Sequence, residues 1–191
     1  MTMMNKNKTG LKLLALSGLF FLMNACCSGN TSKTCSTQDD TNNITRAVCV
    51  MTPTEGNTAN GLVTFTQKDS GILIVADMKG LSPGKHGFHV HQFGDISKLD
   101  GTSAGGHFNP EEVAHAGHSD EVRHVGDFGN IVADENGNAH YEAMDSLISF
   151  SGKHNIIGRA IIIHAGEDDL ASQPTGNAGK RAAYGVIGIA K

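Results

Sequence analysis

The chain has 191 residues, a formal charge of −4, 39% apolar residues and 18% charged ones, which suits one domain with an appendage. This balance excludes an acidic disordered chain and a helical membrane bundle. The lack of a basic excess argues against phosphate-backbone binding, so no nucleic-acid partner is expected.

Residues 1–25 carry Lys6, Lys8, Lys12 and no acid, and an uncharged apolar run of 11 residues spans 13–23. A basic start, a short apolar run and then small residues form the plan of a secretory signal. The run is well short of the roughly 20 residues a spanning helix needs. Ala25-Cys26 resembles a bacterial lipoprotein processing site. Cys26 is then the lipid acceptor, with Cys27 the lesser candidate and plain secretion the alternative. Removing 1–25 takes away three lysines and no acid, which moves the formal charge from −4 to −7. Residues 26–45 are polar, and 28–45 hold eight Ser or Thr and one Ile. Such a stretch buries too little apolar area to offset its ordering entropy, so it reads as a tether.

The texture changes at Arg46. A short apolar run, 47–51, ends at Pro53. Segment 61–67 alternates with Val63 and Phe65 on one face, and 72–78 does so with Ile72, Ile74 and Ala76. Segments 88–93, 129–133, 139–143, 156–164 and 184–189 continue the series, and Asp134-Glu-Asn-Gly137 has the composition of a hairpin loop. No later stretch has a sustained 3.6-residue period. The pattern predicts an all-β sandwich or barrel of about eight strands over 46–191. The interval 94–127 lacks strand alternation, and a loop of that length needs something to pin it.

The ten histidines are more than packing requires. His89 and His91 lie two apart on a predicted strand, so both rings share a face and make half of a copper or zinc site. Satisfied polar histidines are the alternative for that pair alone. The long loop adds His107, His115, His124 and Asp127, at spacings of eight, nine and three residues. Three imidazoles and a carboxylate are a full tetrahedral zinc set, and such a closed site supplies the pin. His164 closes an apolar strand, either at a barrel rim or bound to something. His118, His140 and His154 fall outside the pattern and read as surface residues, and Cys49 reads as a buried free thiol.

Residues 46–191 resemble the copper-zinc superoxide dismutases in the form typical of eukaryotic cytosol. The resemblance runs through His86-Gly-Phe-His-Val-His91, Thr102-Ser-Ala-Gly105, His107-Phe-Asn-Pro110, Arg123-His-Val-Gly-Asp127, Gly176-Asn-Ala-Gly179 and Gly185-Val-Ile-Gly-Ile189. It implies an eight-stranded Greek-key barrel with long metal-binding loops and a reaction that disproportionates the superoxide anion. It implies copper on His89, His91, His107 and His164, and zinc on His107, His115, His124 and Asp127, with His107 shared. It further implies that Asp168 links His89 to His115 (Asp169 being the adjacent candidate) and that His86 props the copper strand through backbone. Arg181 is implied to guide the anion, with Thr175 lining the same channel. A homodimer through Phe93, Gly94, Ile157, Gly158, Val186 and Ile189 is also implied. With the signal, the expected place is the cell envelope or outside the cell, with membrane contact only through a lipid on Cys26.

The chain departs from that family in three places. The family's intrasubunit disulfide would fall on Gly101 or Asp100 and on Tyr184, none of them Cys. Tyr184 is expected to fill the volume, with its hydroxyl bonded to the loop backbone. The segment 170–175 is shorter than the family's electrostatic loop and has Ala-Ser-Gln-Pro in place of its charged rim. The loop at 94–101 is slightly longer, with Lys98 and Leu99.

Overall fold

The structure, a computed structural model, describes residues 44–191. The signal expected over 1–25, the tether as far as residue 43, and with them Cys26, Cys27 and Cys35, lie outside the described residues. Ile44 and Thr45, expected in the tether, belong to the fold. Ile44 packs on the core, and the Thr45 carbonyl accepts a hydrogen bond from the Gln67 N–H at 2.8 Å.

Strands β1 (Arg46–Pro53), β2 (Asn60–Lys68) and β3 (Gly71–Lys79) form an antiparallel meander. They are followed by β4 (Gly84–Val90), β5 (Asp127–Ala133), β6 (Ala139–Asp145), β7 (Ala160–His164), β8 (Arg181–Val186) and the two-residue β9 (Gly188–Ile189). The strand order is β2-β3-β6-β5-β4-β7-β8-β1-β9, and β1 also pairs with β2, which closes the sheet. The first eight strands thus make a closed antiparallel barrel. The β3–β4 and β6–β7 connections each pass over two strands, as in a Greek key.

Period-two patterning explains the barrel. Val63 and Phe65 of β2, and Ile72, Ile74 and Ala76 of β3, are buried, and their sequence neighbours face outward or lie part-way. The exception is β7, buried along its whole length. Ile161 and Ile163 enter the main core, whereas Ala160 and Ile162 face outward into a second apolar cluster with Ala104 and Tyr184. That cluster ties the long loop to the barrel. The strand expected over 156–164 begins only at Ala160, because a turn precedes it, closed by the Arg159 N–H on the Ile156 carbonyl at 3.1 Å. Between β4 and β5 there is one 3-10 turn, Thr102–Ala104, and otherwise irregular chain.

Gly101, rather than Asp100, faces Tyr184. It sits at φ 75°, and a Cβ there would lie 3.1 Å from Tyr184 Cδ1. The ring fills the space beside the loop, as expected. The expected hydroxyl bond to loop backbone does not form among the described residues; Tyr184 is held through its carbonyl, which accepts from Thr52 Oγ1 at 3.3 Å. A buried ring can fix the loop by packing alone. The cysteine of the described residues, Cys49, is free and buried, and burial pushes its thiol up to about 12. Reducing agent is therefore expected to leave the thermal midpoint and the activity unchanged. A clear fall in either under reductant would reveal a cross-link that the barrel depends on.

Candidate metal centre

Two irregularities in the barrel aim the histidines. The β4–β5 register shifts between Gly87 and His89, and the β7–β8 register shifts between Ile163 and His164. Such bulges re-aim side chains beside a site. His91 lies just past β4 and bridges to His107, with its N–H on the Ala160 carbonyl at 2.7 Å. His115 and His124 follow on the long loop, and Asp127 opens β5.

The fold gathers these residues into two groups. His89, His91, His107 and His164 form one, and His107, His115, His124 and Asp127 the other. Within each group one atom per residue lies within 4.8 Å of all the rest. His107 belongs to both, and its ring centroid is 3.9 Å from that of His89 and 5.2 Å from that of His115.

The hydrogen bonds of each ring decide which nitrogen is left free. His91 Nδ1 is committed to the Gly105 carbonyl at 2.9 Å and His164 Nδ1 to the Gly179 carbonyl at 3.1 Å. Their Nε2 atoms converge at 3.4 Å. His89 is turned the other way, with Nε2 on Asp168 Oδ2 at 2.7 Å. His124 Nε2 meets the Val113 carbonyl at 3.1 Å, which leaves its Nδ1 3.3 Å from Asp127 Oδ1. His89 Nδ1, His107 Nε2 and His124 Nδ1 are buried without a hydrogen-bond partner. Orphaned ring nitrogens aimed into two shared, all-buried clusters are the donor sets of a nitrogen-rich transition-metal pair. The residues present therefore fit such ions.

The carboxylates drive the electrostatics apart on the two sides. Burial holds His89 down to about 3 and His164 down to about 4, with neighbouring His107 adding to the shift, and it holds His91 well below the ordinary range. Burial also opposes charge on His115, but the hydrogen bonds to Asp127 and Asp168 outweigh it and raise that ring to about 9. Asp127 and Asp168 stay well below the usual carboxylate range. Their burial is outweighed by hydrogen bonds from His107 and His115 for the first, with the His124 ring close by, and from His115 and His89 for the second.

Asp168 accepts from His89 with one oxygen and from His115 Nε2 with the other at 2.9 Å. Asp169 instead bonds Ser172 within its own loop. His86 Nδ1 lies 2.8 Å from the His164 carbonyl. Two supports were not read from the sequence. The Asn130 amide holds both the N–H and the carbonyl of Asp168, each at 2.8 Å. Buried Arg123 binds Asp145 at 2.6 Å and the carbonyls of His124 and Asp127 at 3.0 Å. A charged residue inside the Arg123–Asp127 motif was a usable signal for Arg123. A lone Asn in a strand carries none for Asn130.

Arg181 opens β8, and its guanidinium donates to the carbonyls of Gly101 and Gly105. It lines a cavity of about 530 Å³ together with Thr54, Asp100, Gly179 and Lys180. Thr175 is half-buried and does not line that cavity. His118 joins neither cluster and rests 3.2 Å from Asp145, and His140 is largely exposed, against Asp77. His154 is partly exposed and contacts Glu111.

Fold and site together define a Greek-key β-barrel protein with two adjoining side-chain clusters able to hold metal, which share one histidine. Residues 59–187 match the family model described as "Copper/zinc superoxide dismutase (SODC)". A superoxide dismutase [Cu-Zn] of Paramecium bursaria Chlorella virus 1 is 47% identical over 186 residues, covering 93% of this chain and 94% of that one. An extracellular superoxide dismutase [Cu-Zn] of Brugia pahangi is 44% identical over 152 residues, 75% of each chain. The crystal structure of the clock protein EA4 superposes with a TM-score of 0.70 at 45% identity, covering 76% of this chain and 95% of that one. The chain belongs to the copper/zinc superoxide dismutase family; its cofactors are copper and zinc and its substrate is superoxide.

Proposed function

We propose that His89, His91, His107 and His164 hold copper and that His107, His115, His124 and Asp127 hold zinc. The observation that carries this reading is His107. Its Nδ1 lies 2.8 Å from Asp127 on one side, and its Nε2 is buried and unpartnered on the other. Bound there, copper supplies the one-electron cycle that turns superoxide into oxygen and peroxide. The protein's part is positional. Asp168 keeps His89 and His115 in one tautomer each and fixes both rings. Arg181 docks the anion, and its bonds to Gly101 and Gly105 stop the fork from swinging. Local charge is needed because the chain as a whole is acidic, at −4. His107 Nε2 is the atom placed to hold a proton and return it to the reduced product.

Metal analysis and a superoxide assay on one sample of the full chain test the assignment. About one copper and one zinc per chain with fast turnover supports it. Both metals without turnover would make the chain a metal sink instead.

Arg181→Ile is expected to retain both metals, lose about tenfold in activity, and flatten the dependence of rate on ionic strength, since a hydrogen bond to a charged group contributes about 1.5–3 kcal/mol. An unchanged rate and salt slope would remove Arg181 from the mechanism.

Zinc uptake is expected to depend on pH in a defined direction. Metal-free His115 is protonated below about 9, and zinc must displace that proton. Zinc affinity therefore rises with pH up to that value, by about tenfold per unit for one proton. His89 and His164, at about 3 and about 4, are already neutral at neutral pH and add no such slope to copper binding. Calorimetry in buffers of different ionisation enthalpy counts the released protons. A count of zero for zinc at neutral pH would contradict this reading.

We also infer that residues 1–25 direct export, that Cys26 carries lipid and that 26–43 tether the enzyme in the envelope. The basic-then-apolar N-terminus supports this, as does the extracellular relative from Brugia pahangi. Superoxide is charged and crosses hydrocarbon poorly, so an enzyme placed there meets the external radical. Pairing as a homodimer is supported by an apolar patch in which Phe93 is 51% and Ile189 60% exposed, with Gly94 packed tightly on Gly158 and Val186.

A further inference from the structure

We propose that Gln173 is a positioning residue for the zinc site, a role that rests on the ligand assignment above and deepens it. His115 is almost wholly buried, so its main-chain N–H and carbonyl both need partners. Among the described residues neither finds a backbone group. The Gln173 amide supplies both: the His115 N–H donates to Gln173 Oε1 at 2.7 Å, and Gln173 Nε2 donates to the His115 carbonyl at 2.8 Å. A primary amide has one acceptor and a donor pair in a fixed plane, so a single side chain acts as a one-residue strand partner.

The loop presenting this amide is short and tied to itself. Asp169 binds the N–H groups of Ala171 and Ser172 at 3.0 and 2.7 Å, and the Gly176 N–H closes on the Ser172 carbonyl at 2.7 Å. Gly176 passes so close over the His115–Asp168 link that a Cβ there would collide with Asp168 Oδ1 and lie 2.7 Å from His115 Nε2. Besides the contact of ring Nδ1 with Asp127 at 2.9 Å, His115 is thus held at three further points: ring Nε2 by Asp168, and both main-chain groups by Gln173. Gln173 fixes the backbone from which the ring hangs, and Asp168 fixes its rotation. The neutral segment that replaces a charged rim in this chain therefore has a different task, which is to lock the zinc half of the centre.

The test uses the metal-loaded full chain with Gln173→Ala, Gln173→Glu and Ser172→Ala. The readouts are the rate of zinc release to a chromophoric chelator and the visible absorption of cobalt placed in the zinc site. Loss of an outer support of a metal ligand typically costs about 10–100-fold in metal affinity, so Gln173→Ala is expected to release zinc at least about tenfold faster and to alter the cobalt band. Gln173→Glu turns an oxygen toward the His115 carbonyl and is expected to be at least as fast. Ser172→Ala loosens the same loop without touching His115 and is expected to match the parent. Equal acceleration in Ser172→Ala would overturn the proposal, because loop order in general would then be the cause. Unchanged release in both Gln173 variants of a zinc-holding parent overturns the clamp alone. A parent chain that takes up neither zinc nor cobalt there overturns the ligand assignment, and the clamp with it.

Discussion

His107→Ala is expected to lower dismutation by more than about 100-fold and to weaken copper and zinc retention together. Removing an outer partner of a metal ligand costs up to about 100-fold, and His107 is itself a ligand common to both clusters. Its ring lies between the two sets, 3.9 Å from the ring of His89 and 5.6 Å from that of His124 by centroid. Alanine leaves a gap bounded by three rings on one side and two rings with a carboxylate on the other. The barrel itself is expected to survive, because His107 is outside both apolar clusters. Metal content by mass spectrometry, rate by pulse radiolysis and circular dichroism separate these effects. Retention of both metals with turnover near that of the parent would refute the shared ring.

Asp168→Asn is the second large effect. The substitution keeps size and shape but exchanges one carboxylate oxygen for an NH₂ group. Both oxygens now accept from ring N–H groups, His89 at 2.7 Å and His115 at 2.9 Å. In the variant a donor must face a donor on one side, so one of the two rings changes tautomer or turns. Zinc affinity is expected to fall by about 10–100-fold, and the copper-side absorption band is expected to shift as well, although Asp168 touches neither metal. His115 also loses one of the two carboxylates that raise it to about 9. Fewer protons are then released on zinc binding near pH 8. Competition with a chelator of known affinity and the same proton count check both points. Parent-like zinc affinity with an unmoved copper band would show that the two rings are held by other means.

The barrel and most of the centre were legible in the residues for different reasons. Strand alternation in 61–67 and 72–78 reports directly on which side faces the core, since period two admits one buried face. The loop histidines were legible because a long coreless segment needs a pin and their types supply one. The start of β7 was not legible: Ile156 and Ile157 are as apolar as the strand that follows, and only the turn at Gly158 separates them. Nor were Asn130 and Gln173, whose partners are main-chain groups dozens of residues away. Gly101 against Asp100 is a similar case. Sequence spacing left both open, and the left-handed turn beside the Tyr184 ring chose Gly101.

By itself the amino-acid sequence determined the all-β class, the identities of the histidines and carboxylates, and the absence of cysteine at Gly101 and Tyr184. These follow from local periodicity and residue chemistry, which need no knowledge of distant contacts. The tertiary structure alone decided which nitrogen of each ring is free and which main-chain groups are clamped. Those depend on hydrogen bonds that closing the barrel brings within 3 Å, such as Asp168 to His89 at 2.7 Å. A ring's two nitrogens are equivalent in the sequence and become distinct only when a carbonyl or carboxylate claims one of them.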